Sequence, residues 1–374
     1  MHEWKRVRLG EVADEVTVGH VGPMVDEYRL SGVPFLRSQN VLPHRIDLSD
    51  IKFIDRDFHS KLKKSALRPG DVVTVRTGKP GTTSVVPDSL VDANCSDLVI
   101  TRPGPALDAR WLSYYVNVAA SDYVSAHLVG AVQQHFNVGA AKNMVLHLPP
   151  LKEQQAIAEV LGALDDKIAA NIRLASTTEN LLHASFRAGV SVGNSDLVRV
   201  EDIVQRLQIP RRFTKDEILA LGDFPVLDQS EDGILGFLNG DKFIEATEDA
   251  PVLYFGDHTC KLRISSEKFL VGPNTIPFIG AGVPSVVLFC ALQGLQAQEE
   301  YRRHWQSLMK KETSIPDPIW CADFASKFKV FLTLLASAKR ENSILATTRD
   351  SLLPQLMSGK IRVKDAEQMV GDVV

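Results

Sequence analysis

The sequence has 374 residues, a length that favours two domains or one large α/β unit over a single small core. Hydrophobic residues make up 44% and charged residues 24%, as in globular proteins, and every apolar run is far shorter than the roughly 20 residues of a membrane-spanning helix. The formal net charge of −4 excludes a uniformly basic nucleic-acid binder, although it leaves room for a local basic face.

The N-terminus and the cysteines predict a cytoplasmic protein without a structural metal. Residues 1–6 are mixed polar sequence with no apolar signal core, so we expect no export. Four cysteines lie far apart and form no CxxC pair: Cys95, Cys260, Cys290 and Cys321. This spacing argues against a disulfide framework and a zinc site, and we expect buried thiols instead.

From about residue 5 to 148, short β-branched runs alternate with Gly/Pro turns, which predicts a mixed α/β domain. Within it, residues 71–75 and 98–101 are predicted strands, and residues 110–119 form a predicted helix. The domain is expected to end at residues 148–150, Leu-Pro-Pro, because proline fixes φ and biases the preceding residue away from the helical region.

A long helix is predicted to follow, from Lys152 to about Ala188. This stretch lacks proline, and its apolar residues recur at helical spacing: Ile157, Leu161, Leu164, Ile168, Ile172, Ala175 and Leu182. At about 1.5 Å per residue the helix would be about 55 Å long. One small domain could not cover a helix of that length.

The second half of the chain repeats this pattern. Residues 189–195, GVSVGNS, are predicted to be a flexible joint, and residues from about 197 to 315 again have α/β character. A second proline-containing boundary at residues 315–318 precedes a second long helix. Its apolar residues predict a heptad seam: Phe324, Phe328, Phe331, Leu335, Ala338, Leu345 and Leu352.

The two helices each carry a seam that neither can bury alone, so we expect them to pack on each other. The predicted fold class is therefore mixed α/β (α+β), with two globular domains separated by two long antiparallel helices that form a coiled coil. The expected boundaries are residues 1–150 and 191–316 for the domains, 151–190 and 317–364 for the helices, and 365–374 for a tail.

Asn171 and Asn342 both fall on the predicted seam and occupy matching positions in the two helices. A paired Asn on such a seam can set the register of a coiled coil. The alternative is that both lie at the wet edge of an imperfect seam.

Several motifs carry a resemblance to one family. Residues 149–158, PPLKEQQAIA, resemble the PPLxEQxxIA start of the first central helix in specificity subunits of type I restriction-modification systems, and residues 352–363, LLPQLMSGKIRV, resemble the C-terminal signature of that family. Residues 32–37, 67–73 and 76–81 also resemble family patterns. The second long helix departs from the first, because residues 319–322, IWCA, stand where a Glu-Gln pair would follow the prolines.

The resemblance implies a non-catalytic DNA-reading subunit. Each α/β domain would be a target recognition domain that reads one half of a bipartite site in double-stranded DNA, and the helices would set the spacing. The helices would also dock methyltransferase subunits, expected to number two, and restriction/translocase subunits would join through the complex. S-adenosylmethionine and ATP would be bound by those partners, so we expect no cofactor in this chain and no membrane contact. The expected partner-binding residues are Glu153, Gln154 and Ile157.

Residues 52–79 of the first domain carry eight Lys and Arg against three Asp, which predicts a phosphate-facing patch. Arg76 follows a predicted strand and precedes glycines, so it is placed to contact guanine, while Gln and Asn side chains suit adenine edges. The predicted DNA-binding residues of this domain are Arg37, Ser38, Gln39, Lys61, Lys63, Lys64, Arg76, Thr77, Lys79, Gln133, Gln134 and His135. A solvated loop with scattered lysines and ordinary turn residues would explain the same sequence.

In the second domain the predicted DNA-binding residues are Arg211, Arg212, His258, Lys261, Arg302, Arg303, Lys310 and Lys311. The last four are expected to meet phosphate. The alternative is an exposed helix whose charges are balanced by nearby glutamates. A carboxylate beside His258, that of Asp257, could orient it for acid–base chemistry, but no nucleophile motif accompanies the pair, which favours a hydrogen-bonded loop.

Two other functional classes stay open. A DNA amino-methyltransferase that uses S-adenosylmethionine is suggested by residues 278–282, FIGAG, which resemble an FxGxG cofactor loop, and by residues 317–320, DPIW, which loosely resemble DPPY. Both matches are weak, because a cofactor loop belongs between a strand and a helix of a repeated βαβ series. The third class is a coiled-coil scaffold that binds only protein.

Overall fold

The computed structural model of the protein describes residues 4–118, 121–129, 135–192, 195–219, 222–230, 233–298 and 303–371. The chain divides into two compact units. Unit 1 consists of Met1–Ile168 and Ser343–Val374, and unit 2 consists of Ala169–Asn342. Both long helices therefore contribute residues to both units.

Unit 1 begins with a mixed α/β arrangement. Its strands are β1 (Lys5–Arg8), β2 (Ala13–Val18), β3 (Val33–Leu36), β4 (Val41–Leu42), β5 (Arg45–Ile46), β6 (Lys52–Ile54), β7 (Ala66–Leu67), β8 (Val72–Val75), β9 (Thr83–Val85), β10 (Ala93–Cys95), β11 (Leu98–Pro103), β12 (Leu128–Val129), β13 (His135–Phe136) and β14 (Val145–Leu148). Its helices are α1 (Leu9–Val12), α2 (Arg56–Lys61), α3 (Ala109–Val118), α4 (Ser121–Ala126) and α5 (Val138–Asn143), followed by the long helix α6 (Leu151–Val192), which continues into unit 2.

Two four-stranded sheets form the body of unit 1, with strand orders β2-β11-β8-β9 and β6-β3-β10-β7. In the first sheet β11 is antiparallel to β8, with Leu98 opposite Val75, and in the second β10 is parallel to β3. All four residues of β8 are buried, because β-branched side chains fill the sheet on both faces. The predicted strands at 71–75 and 98–101 and the predicted helix at 110–119 are confirmed by β8, β11 and α3.

Unit 2 repeats the topology of unit 1. Its strands are β15 (Ser195–Arg199), β16 (Val204–Arg206), β17 (Phe224–Leu227), β18 (Ile234–Leu238), β19 (Val252–Gly256), β20 (Leu262–Ser265), β21 (Leu270–Val271), β22 (Thr275–Gly280) and β23 (Glu312–Pro316), and its helices are α7 (Val200–Ile203), α8 (Ser285–Leu292) and α9 (Trp305–Met309). The sheet order β16-β22-β19-β20 corresponds to β2-β11-β8-β9, and the pair β15-β23 corresponds to β1-β14. The strand β17 is parallel to β21, as β3 is to β10. The predicted repetition of α/β character is confirmed.

The second long helix, α10 (Pro318–Met357), packs against α6 within each unit. In unit 1 the fully buried Leu161 and Leu164 share a core with Leu345 and Leu352. In unit 2, Asn171 contacts Asn342, whereas Phe186, further along α6, contacts Phe324, which comes earlier on α10. Because residue numbers rise along one helix as they fall along the other, the pair is antiparallel, and the predicted fold class is confirmed.

The Asn171 side chain is buried in unit 2. Its Nδ2 donates to Asn342 Oδ1 at 3.0 Å and to Glu341 Oε2 at 2.6 Å, which confirms that the two asparagines meet on the seam. Ile172, predicted to face the seam, is instead 40% exposed. Successive side chains on a helix point about 100° apart. Because Asn171 faces the seam, its neighbour Ile172 is turned away from it.

The ends of both long helices differ from the predicted ones. The flexible joint is predicted to start at Gly189, yet α6 continues to Val192. The indole of Trp320 occupies the place that a Cβ on Gly189 would take. At the other end α10 stops at Met357, where Gly359 adopts the left-handed conformation (φ 67°) and the Lys360 amide donates to the Gln355 carbonyl at 2.9 Å. A further helix, α11 (Val363–Gly371), then lies in the region predicted as helix end and tail.

We expect Gly189→Ala to destabilise unit 2 by about 1–3 kcal/mol, because the new Cβ would overlap the Trp320 ring. A matched control is Gly371→Ala in α11, where the added Cβ has nothing within 4 Å and helix propensity alone should stabilise by up to about 1 kcal/mol. Urea unfolding midpoints would check both changes. Effects of the same sign at the two glycines would contradict the packing argument.

The four cysteines form no disulfide with one another; three are buried, as expected, whereas Cys260 is half-buried. Within the described ranges, no group of three His, Cys, Asp or Glu residues could hold a metal ion. A search of the same residues found no helix that combines the length and apolar character needed to cross a membrane.

Candidate nucleic-acid interface

The end of β8 and the turn between β10 and β11 come together in unit 1. Asp97, in that turn, adopts a left-handed conformation (φ 52°), which Asp tolerates better than most residues. Its carboxylate accepts from Arg76 Nη1 at 3.1 Å and from the Thr77 hydroxyl. Arg76 Nε also donates to the Phe136 carbonyl at 3.2 Å. The Arg76 side chain is only 14% exposed, and its Nε and Nη1 donors bind groups of the unit itself.

One predicted base-reading residue, His135, lies next to this strand end. His135 is half-buried and belongs to β13, which pairs with β12 in an antiparallel hairpin. The predicted residues Gln133 and Gln134 lie outside the described residues.

A second polar group surrounds the carboxylate of Asp50. Arg37 Nη2 and Gln39 Nε2 both donate to Asp50 Oδ2 at 2.9 Å, and Lys52 Nζ donates to Oδ1 at 3.0 Å. Hydrogen bonds from Arg37 and then Lys52 lower the pKa of Asp50. Ser38 lies beside them in a single 3-10 turn, Ser38–Asn40. The Arg37, Gln39 and Lys52 donors are therefore held by the Asp50 carboxylate at the surface of the unit.

Four predicted phosphate-binding lysines of unit 1 are exposed, and none forms an ion pair with another described residue: Lys61, Lys63, Lys64 and Lys79. The first three follow one another at the end of α2 and in the 3-10 turn Lys63–Ser65. Exposed cations without protein partners are suited to displacing the counterions of a DNA backbone.

In unit 2, Asp257 follows β19 and is buried. Its Oδ1 accepts from the Trp305 amide at 2.9 Å, and its carbonyl accepts from the His304 amide at 2.9 Å. The neighbouring His258 is exposed, and its amide donates to Gln229 Oε1 at 3.0 Å. Because the carboxylate binds backbone amides, the hydrogen-bonded loop expected here is confirmed.

The remaining predicted cations of unit 2 differ in their surroundings. Arg211 pairs with Glu217 and lies 4.7 Å from the centroid of the Phe213 ring. Arg212 Nη1 donates to the carbonyls of Gly272 and Thr275 at 2.9 and 2.7 Å. The side chains of Arg303 and Lys310 are exposed. Those of Lys261 and Lys311 are half-buried. Arg302 lies outside the described residues.

Two of the three predicted partner-binding residues lie in the interior of unit 1, which corrects that prediction. Gln154 is fully buried: its Nε2 donates to the carbonyls of Ala106 and Pro149 at 3.0 and 2.9 Å, and its Oε1 accepts from the Asp108 amide at 2.9 Å. Ile157 is buried in the same core. Neither side chain has surface to offer a partner; Glu153 is half-buried.

A polar network that the sequence reasoning missed joins α3, α6 and α10 in unit 1. Asp165 accepts from Arg349 Nη1 at 2.6 Å and from the Tyr114 hydroxyl. The His44 ring lies 4.6 Å from the Tyr114 ring, and burial lowers the pKa of His44 to about 4. The available signal was an acidic residue next to Leu164, on the core-facing side of an otherwise apolar helical pattern.

The suggested methyltransferase cofactor loop does not lie in a parallel βαβ unit. Residues 278–280 belong to β22, which is antiparallel to both neighbours, β16 and β19. A doubly wound nucleotide site forms at the carboxyl ends of parallel strands. The strand pairing therefore argues against this class.

A comparison with known protein families finds a match. A family model described as the type I restriction modification DNA specificity domain matches residues 1–176. The matched segment makes up slightly less than half of the chain. The match confirms the resemblance that the sequence motifs carry.

Individual relatives support the same class. The type I restriction enzyme MjaVIII specificity subunit of Methanocaldococcus jannaschii is 26% identical over 176 residues, or 44% of this chain. The match spans 40% of the length of that relative. The crystal structure of the type I restriction-modification system S subunit from M. genitalium has a TM-score of 0.56 at 14% identity, and the alignment covers 94% of this chain and 96% of that one. At this identity the likeness shows a shared fold.

Proposed function

We propose that this chain is the DNA sequence-specificity subunit of a type I restriction-modification complex and has no catalytic activity of its own. Each recognition domain reads one half of a bipartite site in double-stranded DNA. The observation that carries the proposal is the specificity-domain match over residues 1–176, and the repeat of the unit 1 sheet order in unit 2 supports a second reader.

The proposed target recognition domains are residues 1–150 and 191–316. The helical segments 151–190 and 317–364 set the distance between the two half-sites and dock methyltransferase subunits, and residues 365–374 form a tail. Two readers on one face of a duplex need a separation of about one helical turn, roughly 34 Å, or a multiple of it. A helix as long as α6, with 42 residues, suits such a spacing.

The proposed partners follow from this role. Two methyltransferase subunits bind the helices, and restriction/translocase subunits join through the complex. S-adenosylmethionine and ATP belong to those partners. A cytoplasmic location stays a prediction from the sequence.

We assign phosphate contact to the exposed cations Lys61, Lys63, Lys64 and Lys79 in unit 1 and to Arg303 and Lys310 in unit 2. Base contact is assigned to Gln133 and Gln134, whose amides suit adenine, with His135 next to them in the sequence. The remaining predicted residues are already bonded within the protein or partly covered, and their contact with DNA stays a prediction.

Selection from a random duplex pool tests the function. The full chain, with and without its methyltransferase subunits, is incubated with the pool and the bound duplexes are sequenced. A specificity subunit should select a split motif with a constant gap. A protein scaffold should select nothing, and tight binding of S-adenosylmethionine by the isolated chain would instead favour the methyltransferase class.

The lysine triple variant Lys61→Ala/Lys63→Ala/Lys64→Ala should weaken binding to all duplexes about equally. If each lysine meets one phosphate, the slope of log K against log salt should fall in magnitude by about 2.7. Binding titrations between about 50 and 200 mM salt measure it. The control is Lys360→Ala/Lys364→Ala, at exposed lysines near α11, which should leave the slope unchanged. A loss confined to one sequence would refute phosphate contact.

A further inference from the structure

The strand-end residues Arg76 and Asp257 occupy equivalent positions in the two units. In unit 1, Leu98 of β11 is opposite Val75 of β8, and Arg76 comes next; in unit 2, Thr275 of β22 is opposite Gly256 of β19, and Asp257 comes next. The residues just before β11 and β22 also correspond. They are Asp97 and Asn274, and both are left-handed, with φ of 52° and 53°.

Each strand-end residue binds the backbone of a segment far along the chain. The Arg76 carbonyl accepts from the Phe136 amide at 3.0 Å, and the Asp257 carbonyl accepts from the His304 amide at 2.9 Å. In both units a helix starts soon after the bound amide, α5 in unit 1 and α9 in unit 2. We call this arrangement the strand-end clamp.

The side chains add a second bond to the same segment, with opposite chemistry. Arg76 Nε donates to the Phe136 carbonyl at 3.2 Å, whereas Asp257 Oδ1 accepts from the Trp305 amide at 2.9 Å. A cation and an anion thus do the same work at equivalent positions. Holding a backbone segment is compatible with this exchange of charge, because a peptide offers both donors and acceptors.

A predicted DNA contact lies immediately before each clamped amide. His135 precedes Phe136, and the exposed Arg303 precedes His304. Fixing the backbone at the next residue lowers the entropy that such a side chain loses on binding, and restricts where it can reach.

We propose that Arg76 and Asp257 are equivalent positioning residues, which hold the segments that carry His135 and Arg303 in the geometry needed to read DNA. This rests on the proposed function and changes the role expected for Arg76 from a guanine contact to a clamp. Arg76 acts through its neighbours, with Asp97 fixing its guanidinium.

The matched variants are Asp257→Ala and Asp257→Asn. Asparagine keeps the Oδ1 acceptor for the Trp305 amide, whereas alanine removes it. In the complex with methyltransferase subunits, Asp257→Ala should lower base discrimination about tenfold, spread over one half-site, and leave the other half-site unchanged. Asp257→Asn should keep the discrimination, and Arg76→Met should loosen the other half-site. Duplex selection measures each preference.

Two outcomes would overturn the proposal. If Arg76→Met abolishes preference for guanine at a single position and leaves the rest of that half-site intact, Arg76 reads a base directly. If Asp257→Asn lowers base discrimination as much as Asp257→Ala, the negative charge of Asp257 matters and its hydrogen bond to the Trp305 amide does not.

Amide hydrogen exchange in the free full-length protein separates this proposal from the proposed function. Asp257→Ala should speed exchange at the Trp305 amide more than tenfold, while Asp257→Asn should not. The His304 amide keeps its bond to the backbone carbonyl of residue 257 in both variants. Unchanged exchange in Asp257→Ala refutes the clamp even if a split motif is selected. Faster exchange in Asp257→Ala, together with a wild type that selects no motif, upholds the clamp as structure and refutes both its role in DNA reading and the proposed function.

Discussion

Gln154→Leu is expected to destabilise unit 1 by about 3 kcal/mol, although leucine has a similar volume. The amide of Gln154 satisfies the Asp108 amide and the carbonyls of Ala106 and Pro149, and leucine would leave these groups without partners in the interior. Each polar group left unsatisfied on burial costs about 1–3 kcal/mol. Urea unfolding of the full chain, at constant pH, measures the change.

The neighbouring Gln155 is the control, because its side chain is exposed and lies on the same turn of α6. Gln155→Leu should change stability by less than about 0.5 kcal/mol. If the two variants were equally stable, Gln154 would not hold the start of α6 to the α/β body of unit 1. Association with methyltransferase subunits can then be measured separately. If Gln155→Leu weakens this association without lowering stability, the docking surface lies on the exposed side of residues 149–158.

Arg349→Met should destabilise unit 1 by about 3–5 kcal/mol. The side chains of Asp165 and Arg349 are only 13% and 17% exposed, so the substitution strands a carboxylate that the Tyr114 hydroxyl alone cannot compensate. Chemical denaturation at neutral pH gives the difference in unfolding free energy.

A surface pair and a double variant complete this test. Arg362→Met removes an ion pair with Asp365, but the Arg362 side chain is 84% exposed, and the expected change is below about 1 kcal/mol. Asp165→Leu combined with Arg349→Met should recover most of the lost stability, since no charge is then left unpaired in the interior. Asp350, which also pairs with Arg349, is 63% exposed. A double variant as unstable as the single one would show that packing, and not the stranded charge, causes the loss.

The role of Arg76 shows how far local sequence can go. The predicted strand and the arginine at its end are both present, because a β-branched run followed by glycines is a local signal. Its partners could not be found in this way. Asp97 and Phe136 lie 21 and 60 residues further along the chain, and strand pairing alone brings them to Arg76.

The sequence by itself determined the two long helices and the alternation of α and β elements, and it carried the family resemblance. Helical periodicity and the family motifs are properties of short stretches of chain. Only the tertiary structure decided which polar side chains face inward. In the sequence Gln154 and Gln155 are the same residue type side by side, yet one is buried and the other exposed. Burial depends on surfaces from distant parts of the chain, such as residues 106–108, and no local pattern records where those surfaces will lie.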